Sequence, residues 1–338
     1  MKTSTGPHLR PYNTPMNAPL AYLNGRFLPF ADAALPLHDA GFVSGATVVD
    51  NARTFRHSLF RWPDHLARFR RDVADCYIPL DATDDQITAT AEELVAHNAK
   101  LLPPGGELQI ATFATPGPLG FYLGEPTHGP PTLGMVTYPL PFGRYRRFFT
   151  EGATLAVAGF RHTSPTDLLP PRVKHRGRML WHIADRTIHD PTSPFYRPGA
   201  VPVILSPDGV ADTAVASLVG VVDGTVIRPM PGTVQESISL KVLGELCRMI
   251  GSPVDDKPLD FRHLGRPVEP GDRQPSVSEL MLTGTGFCVA GAREFAARVG
   301  VSRTYPWPGP LFRRLLVAWS DLVGVDIEGQ FLSISGTE

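Results

Sequence analysis

The sequence predicts a two-domain α+β protein. Three observations carry that reading. The chain has 338 residues, a length that favours about two domains. Short alternating strands closed by turn signals are interspersed with amphipathic helices, without an internal repeat. No GxGxxG or Walker pattern follows any strand, which argues against a doubly wound nucleotide-binding sheet.

In chain order, residues 1–18 are polar and Pro-rich and are expected to form an arm, not a signal peptide. Residues 21–28 read as a hairpin around Asn24-Gly25, because both turn positions tolerate positive φ. Residues 46–55 form a β-branched strand, followed by a second turn at 56–58. Pro63 suits the first turn of a helix, on which Leu66, Phe69, Val73 and Cys76 recur at helical spacing. Ile87, Ala91, Leu94 and Val95 mark a second helix over 85–100. Residues 107–115 and 133–138 are strands around a Pro- and Gly-rich loop. Residues 139–147 show neither helix nor strand periodicity and carry Pro, Gly and charge, so the domain boundary is expected there. The domains are then 19–138 and 148–338. In the second, strands are expected at 154–160, 201–205, 216–222 with its 223–224 turn, and as a pair around Gly284. Helices are expected at 178–188, 238–250 and 311–323.

A net charge of −1 gives no reason to expect nucleic acid or an anionic membrane as partner. Cys76, Cys247 and Cys288 are far apart, form no metal spacing and suggest a reducing cytoplasm. No apolar run approaches the roughly 18 residues of a membrane helix.

Lysine usage is the unusual feature. Lys2, Lys100, Lys174, Lys241 and Lys257 are the only lysines among 32 Lys and Arg, leaving 27 arginines. Lys174 nonetheless sits between Arg172 and Arg176. An arginine is a permanent cation, whereas a lysine amine loses its proton when desolvated or set beside other cations. A neutral amine can form a Schiff base with an aldehyde cofactor. Lys241 falls on the polar side of its helix and reads as surface. His65 reads as a structural helix residue.

Four scattered pieces suggest a phosphate-bearing cofactor. Arg68 follows His65 on one helix. Residues 234–239 precede a helix, where free amides attract phosphate. Thr283-Gly284-Thr285-Gly286 offers hydroxyls and amides. Asp212 enters a strand, where a carboxylate could keep a pyridinium protonated.

Together these pieces resemble the fold-type IV pyridoxal-phosphate enzymes, the class IV aminotransferases that include branched-chain and D-amino acid aminotransferases and aminodeoxychorismate lyase. The resemblance spans about residues 20–325 and rests on Tyr22-Leu23-Asn24-Gly25-Arg26-Phe27, on Leu59-Phe60-Arg61 with His65-Leu66-Ala67-Arg68, on Lys174, and on the 238–239 and 283–286 segments. It implies a D-amino acid aminotransferase-like fold with pyridoxal 5′-phosphate as cofactor. Lys174 would be the Schiff-base lysine and proton carrier. Arg68, Ile238, Ser239 and Thr285 would hold the phosphate, and Asp212 the pyridine nitrogen. It further implies an amino donor and a 2-oxo acid as partners, and a homodimer with the site between the domains. The sequence departs from the family pattern in places. Asp212 stands for Glu, Ser217 for Asn, Glu236-Ser237 for Pro-Gly, and Met179 for Tyr. Residues 108–113 carry no Arg for a substrate carboxylate. These departures keep two alternatives open: a lyase on the same cofactor, and a cofactor-binding homologue without turnover.

Overall fold

Strand periodicity and helix stripes build two sheets, each covered by helices. The computed structural model describes residues 17–161, 169–206, 209–259, 264 and 276–333. The first sixteen residues of the expected arm, and Pro207-Asp208 ahead of Asp212, lie outside them.

The first sheet holds β1 (Leu20–Leu23), β2 (Arg26–Pro29), β3 (Val48–Phe55), β4 (Ser58–Leu59), β5 (Leu108–Thr115) and β6 (Thr132–Pro139). Their order is β2-β1-β6-β5-β3-β4, antiparallel throughout. Asn24 and Gly25 both have positive φ, as the β1–β2 turn demands. A short α1 (Ala40–Val43) is capped by the Asp39 carboxylate. Two longer helices, α2 (Trp62–Asp75) and α3 (Asp84–Asn98), cover one face of the sheet. Trp62, Leu66, Phe69, Ile87 and Leu94 from the helices meet Val48, Ala52, Ile110 and Met135 from the strands. Thr83 and Gln86 form a reciprocal capping box that fixes the start of α3.

The segment 139–147 corrects the sequence reading. Pro139 ends β6, and Phe142–Thr150 forms a helix, α4. Phe142, Tyr145, Phe148 and Phe149 recur at helical spacing and are buried. Pro141, Gly143 and three arginines obscured that stripe.

The second sheet contains β7 (Ala153–Arg161), β8 (Val201–Ser206), β9 (Gly209–Thr213), β10 (Ser217–Val222), β11 (Thr225–Arg228), β12 (Val254–Asp256), β13 (Val277–Gly284), β14 (Cys288–Arg298) and β15 (Val301–Thr304). Its order is β12-β11-β10-β13-β14-β7-β8-β9, with β15 paired to β14. The pairs β7–β8, β7–β14 and β11–β12 are parallel and the others antiparallel. Helices cover both faces, and β7 shows how the sequence arranges this. Leu155 and Val157 enter the large core with Leu243 and Leu246 of α6 (Ile238–Met249) and Leu315 and Trp319 of α7 (Pro310–Val323). Ala156 and Ala158 point the other way, against Ala184 and Ile188 of α5 (Met179–His189). That is the period of two expected of a strand buried on both faces. A last helix, α8 (Ile327–Ser333), stacks Phe331 on Phe149 of α4 at 4.5 Å.

Candidate active site

A cavity of about 830 Å³ opens between the two sheets, and Lys174 lies in its wall. The loop carrying Lys174 is pinned by backbone bonds. The Lys174 N–H donates to Asp72 of α2 at 2.9 Å. Its carbonyl accepts from the Val49 N–H, and the Arg176 N–H donates to the Thr47 carbonyl, each at 2.9 Å. The loop therefore extends the strand edge of the first sheet. The Lys174 side chain is half-buried, and its Nζ donates to Gln235 Oε1 at 3.1 Å. Burial, then the nearby Arg68 charge, pushes the amine down to about 7, with Arg178 adding and Asp50 and Asp212 opposing. This lysine holds a large share of neutral amine near neutrality, unlike a solvated one.

Arg68 comes from α2. Its guanidinium bonds the Asp50 carboxylate at 2.7 Å and the Glu236 carbonyl at 2.6 Å. Asp50 also accepts from His65 at 2.6 Å. All three side chains are buried. Burial alone would raise Asp50, but Arg68 and His65 outweigh it and hold the carboxyl down at about 2. Burial keeps His65 below its ordinary value despite Asp50. His65 is therefore a neutral structural partner, as expected from the sequence, and Lys241 is a surface residue paired with Asp64 at 2.6 Å.

Asp212 of β9 also lines the cavity. Burial raises it to about 7, against the pull of the Thr213 N–H, Lys174 and Arg178. Thr285 lies in the wall, in the turn between β13 and β14. That turn is braced from behind: Arg53 of β3 donates to the Gly286 carbonyl at 3.1 Å.

Ile238 and Ser239 begin α6 behind the wall, with buried side chains. As the first two helical residues, they have N–H groups with no acceptor inside the helix. Among the described residues neither N–H donates to another backbone carbonyl. From residues 234–239, Val234, Gln235 and Ser237 line the cavity. The charge of Glu236 is turned aside: its carboxylate pairs with Arg71 at 2.6 Å, and only its carbonyl serves Arg68.

The structure thus brings Arg68, Lys174, Asp212 and Thr285 to one cavity and sets the start of α6 beside it. Sequence reasoning missed Asp50, Asn51, Gln235 and Arg178. A lone carboxylate inside a β-branched strand was the available signal for Asp50. Gln235 stood in a segment valued only for its amides.

Comparison with known proteins agrees with this architecture. The structure of Escherichia coli branched-chain amino acid aminotransferase superposes with a TM-score of 0.75 at 16% identity, covering 90% of this chain and 95% of that one. The T.th. branched-chain enzyme complexed with N-(5′-phosphopyridoxyl)-L-glutamate gives 0.70 at 17% identity, over 91% and 95%. The Thermoproteus uzoniensis enzyme with norvaline gives 0.71 at 18%, over 94% and 98%. No curated protein matches significantly by sequence. The two-sheet α+β architecture is therefore that of the fold-type IV pyridoxal-phosphate enzymes. The sequence model of amino-transferase class IV matches residues 47–295, and the chain belongs to that family.

Proposed function

We propose that this chain is a pyridoxal 5′-phosphate-dependent aminotransferase that moves an amino group between an amino compound and a 2-oxo acid, with Lys174 as its reactive amine. The observation that carries the reading is a half-buried lysine held at about 7 in a cavity shared with Arg68, Asp212 and Thr285.

The residues fit the cofactor. The first amides of α6 are available to an anion, and Arg68 supplies a guanidinium beside them. Asn51 lines the cavity, and its buried Oδ1 has no hydrogen-bond partner. Such an orphaned acceptor suits a site built to receive a polar group. Arg68, the amides of Ile238 and Ser239, and Thr285 would hold the phosphate. Asp212 would face the ring nitrogen. When bound, the cofactor supplies an aldehyde that condenses with amines and a ring that withdraws electrons.

The chain's own groups do the rest. Lys174 is a competent nucleophile near neutrality because much of it is unprotonated. Once free again, the same amine can take a proton from the substrate α-carbon and return it, as general base and then acid. Gln235 orients Nζ by its 3.1 Å hydrogen bond. Asp50 holds Arg68 in place, so the phosphate group would meet a fixed cation.

A homodimer belongs to the same reading. Exposed Leu37, Phe42, Phe121, Tyr122 and Leu123 support it, because the bridge between Asp39 and Pro118 joins the two segments that carry them and exposed apolar surface marks interaction sites. Three free cysteines support a reducing cytoplasm. Among the described residues no helix is long and apolar enough to cross a membrane.

The test is an absorbance titration of the purified protein with pyridoxal 5′-phosphate, then with amines and 2-oxo acids. A cofactor band that shifts on amine addition, with the amino group recovered on the oxo acid, is expected. A protein that takes up no cofactor sinks the proposal, and fragmentation of the amine without transfer replaces it with a lyase.

A further inference from the structure

The cavity wall is unevenly charged. Its cations are Arg68, Arg144, Lys174, Arg176 and Arg178, and its carboxylates are Asp185 and Asp212. Asp185 lies 3.4 Å from His189 on its own helix. Arg68 is committed to Asp50. The other three guanidiniums sit together on α4 and on the loop after Lys174. Arg144 and Arg176 are exposed, and Arg178 is half-buried.

Their partners set them apart. Arg61, Arg68, Arg70, Arg71, Arg172 and Arg228 each pair with a carboxylate. Among the described residues none of Arg144, Arg176 and Arg178 does. Arg144 lies 5.6 Å from the Tyr145 ring, and Arg178 lies 5.8 Å from Trp181 and donates to the Ala214 carbonyl. The three also repel one another: Arg178 is lowered by burial and by its neighbours Arg176 and Arg144, with Asp212 opposing. Like charges left together at the mouth of a cavity await an anion. Among the described residues β5 contributes only Gln109, an uncharged side chain, to the lining.

We propose that Arg144, Arg176 and Arg178 form a subsite for a second anionic group on the substrate, remote from the reacting carbon, so that the substrate is an acidic amino compound or dicarboxylic oxo acid and not an apolar branched one. The inference rests on the aminotransferase reading and names the substrate class for it. An apolar side chain would leave three guanidiniums beside it without an ion-pair partner, whereas a carboxylate accepts the fork of an arginine.

The experiment compares glutarate with pentanoate, acids of equal carbon number and neither of them reactive. Each is titrated by calorimetry into the cofactor-loaded full chain. Glutarate is expected to bind about tenfold more tightly or better, a difference of one decade in Kd, and high salt should shrink the gap. Arg144→Ala/Arg176→Ala removes two exposed side chains and should bring the two acids close to parity. Arg144→Lys/Arg176→Lys should keep most of the preference. Equal affinities in the wild type overturn the proposal, and so does a preference that survives the double alanine change. If no cofactor binds, the aminotransferase reading fails by that result alone. The same titration on cofactor-free protein then still decides whether the arginines select a diacid.

Discussion

Two groups of charges adjoin the cavity and behave in opposite ways. At its wall, Asp50, His65 and Arg68 are packed between α2 and β3. Every charge there has its opposite within hydrogen-bond reach, and Asp50 sits at about 2, deep in its ionised form. In the cavity, Lys174 and Asp212 have both been driven to about 7 by burial, and the three mouth arginines have no carboxylate among the described residues. Burial acts on Lys174 and Asp212 as it does on Asp50 and His65, and closure of the charge pairing is what differs. A closed cluster is locked in one protonation state and holds shape. An open one is poised to exchange protons and to take an ion from solution, which is what a reactive site requires.

The strongest way to break this contrast is to remove the open cluster's amine. Lys174→Ala should lower the rate of amino transfer by roughly 10²–10⁴-fold or more, the scale of a lost general base and nucleophile. Single-turnover absorbance with an amine would measure it. A variant within tenfold of the wild type would mean that Lys174 is only scenery.

The closed cluster should respond in stability. Asp50→Ala leaves Arg68 and His65 buried without their carboxylate, and one-sided removal of a buried partner costs about 3–5 kcal/mol. Urea denaturation would show it. The pH sign follows from linkage. Asp50 is depressed in the folded state, so its contribution is complete above the ordinary carboxylate value of 3.8 and is lost as pH falls toward about 2. The variant should lack that part of the acid transition. A loss near zero would mean that the cluster is not what fixes α2 on β3.

A third prediction concerns the rate at which the chain captures pyridoxal 5′-phosphate. Below about 7 the Lys174 amine is protonated, so the rate should fall about tenfold per pH unit and should level off above it. An inflection nearer 10.5, the ordinary lysine value, would mean that the site does not desolvate the amine.

How far the sequence could be read divides along the same line. Local signals were legible. The Asn24-Gly25 turn, the Leu66/Phe69/Val73 stripe and the strand pair around Gly284 each depend on neighbours in sequence. Lys174 could be singled out as well, because a lysine in an arginine-rich chain is a chemical choice, and it lies in the cavity wall. The α4 helix was not legible, since Pro141 and Gly143 argue against a helix and only burial of Phe142, Tyr145, Phe148 and Phe149 against the second sheet stabilises one. Asp50 was not either, because its role depends on Arg68 arriving from another element. Four of the six candidate site residues share the cavity wall. For Ile238 and Ser239 the backbone, not the side chain, is what the site can use.

The smallest effect tests whether Glu236 belongs to the closed or the open group. By sequence it is an acidic side chain next to a phosphate-suited segment, which would weaken anion binding. In the structure its carboxylate pairs with Arg71 at 2.6 Å near the surface, and its carbonyl alone meets Arg68. Glu236→Gln should therefore change stability by no more than about 1 kcal/mol, as exposed pairs do. It should also leave cofactor affinity within about threefold, because a screened surface charge acts weakly at a distance. Equilibrium dialysis against pyridoxal 5′-phosphate reads the second number. A tenfold tightening would show that the carboxylate reaches the phosphate cup, and Glu236 would then join Asp212 among the uncompensated acids of the open cluster.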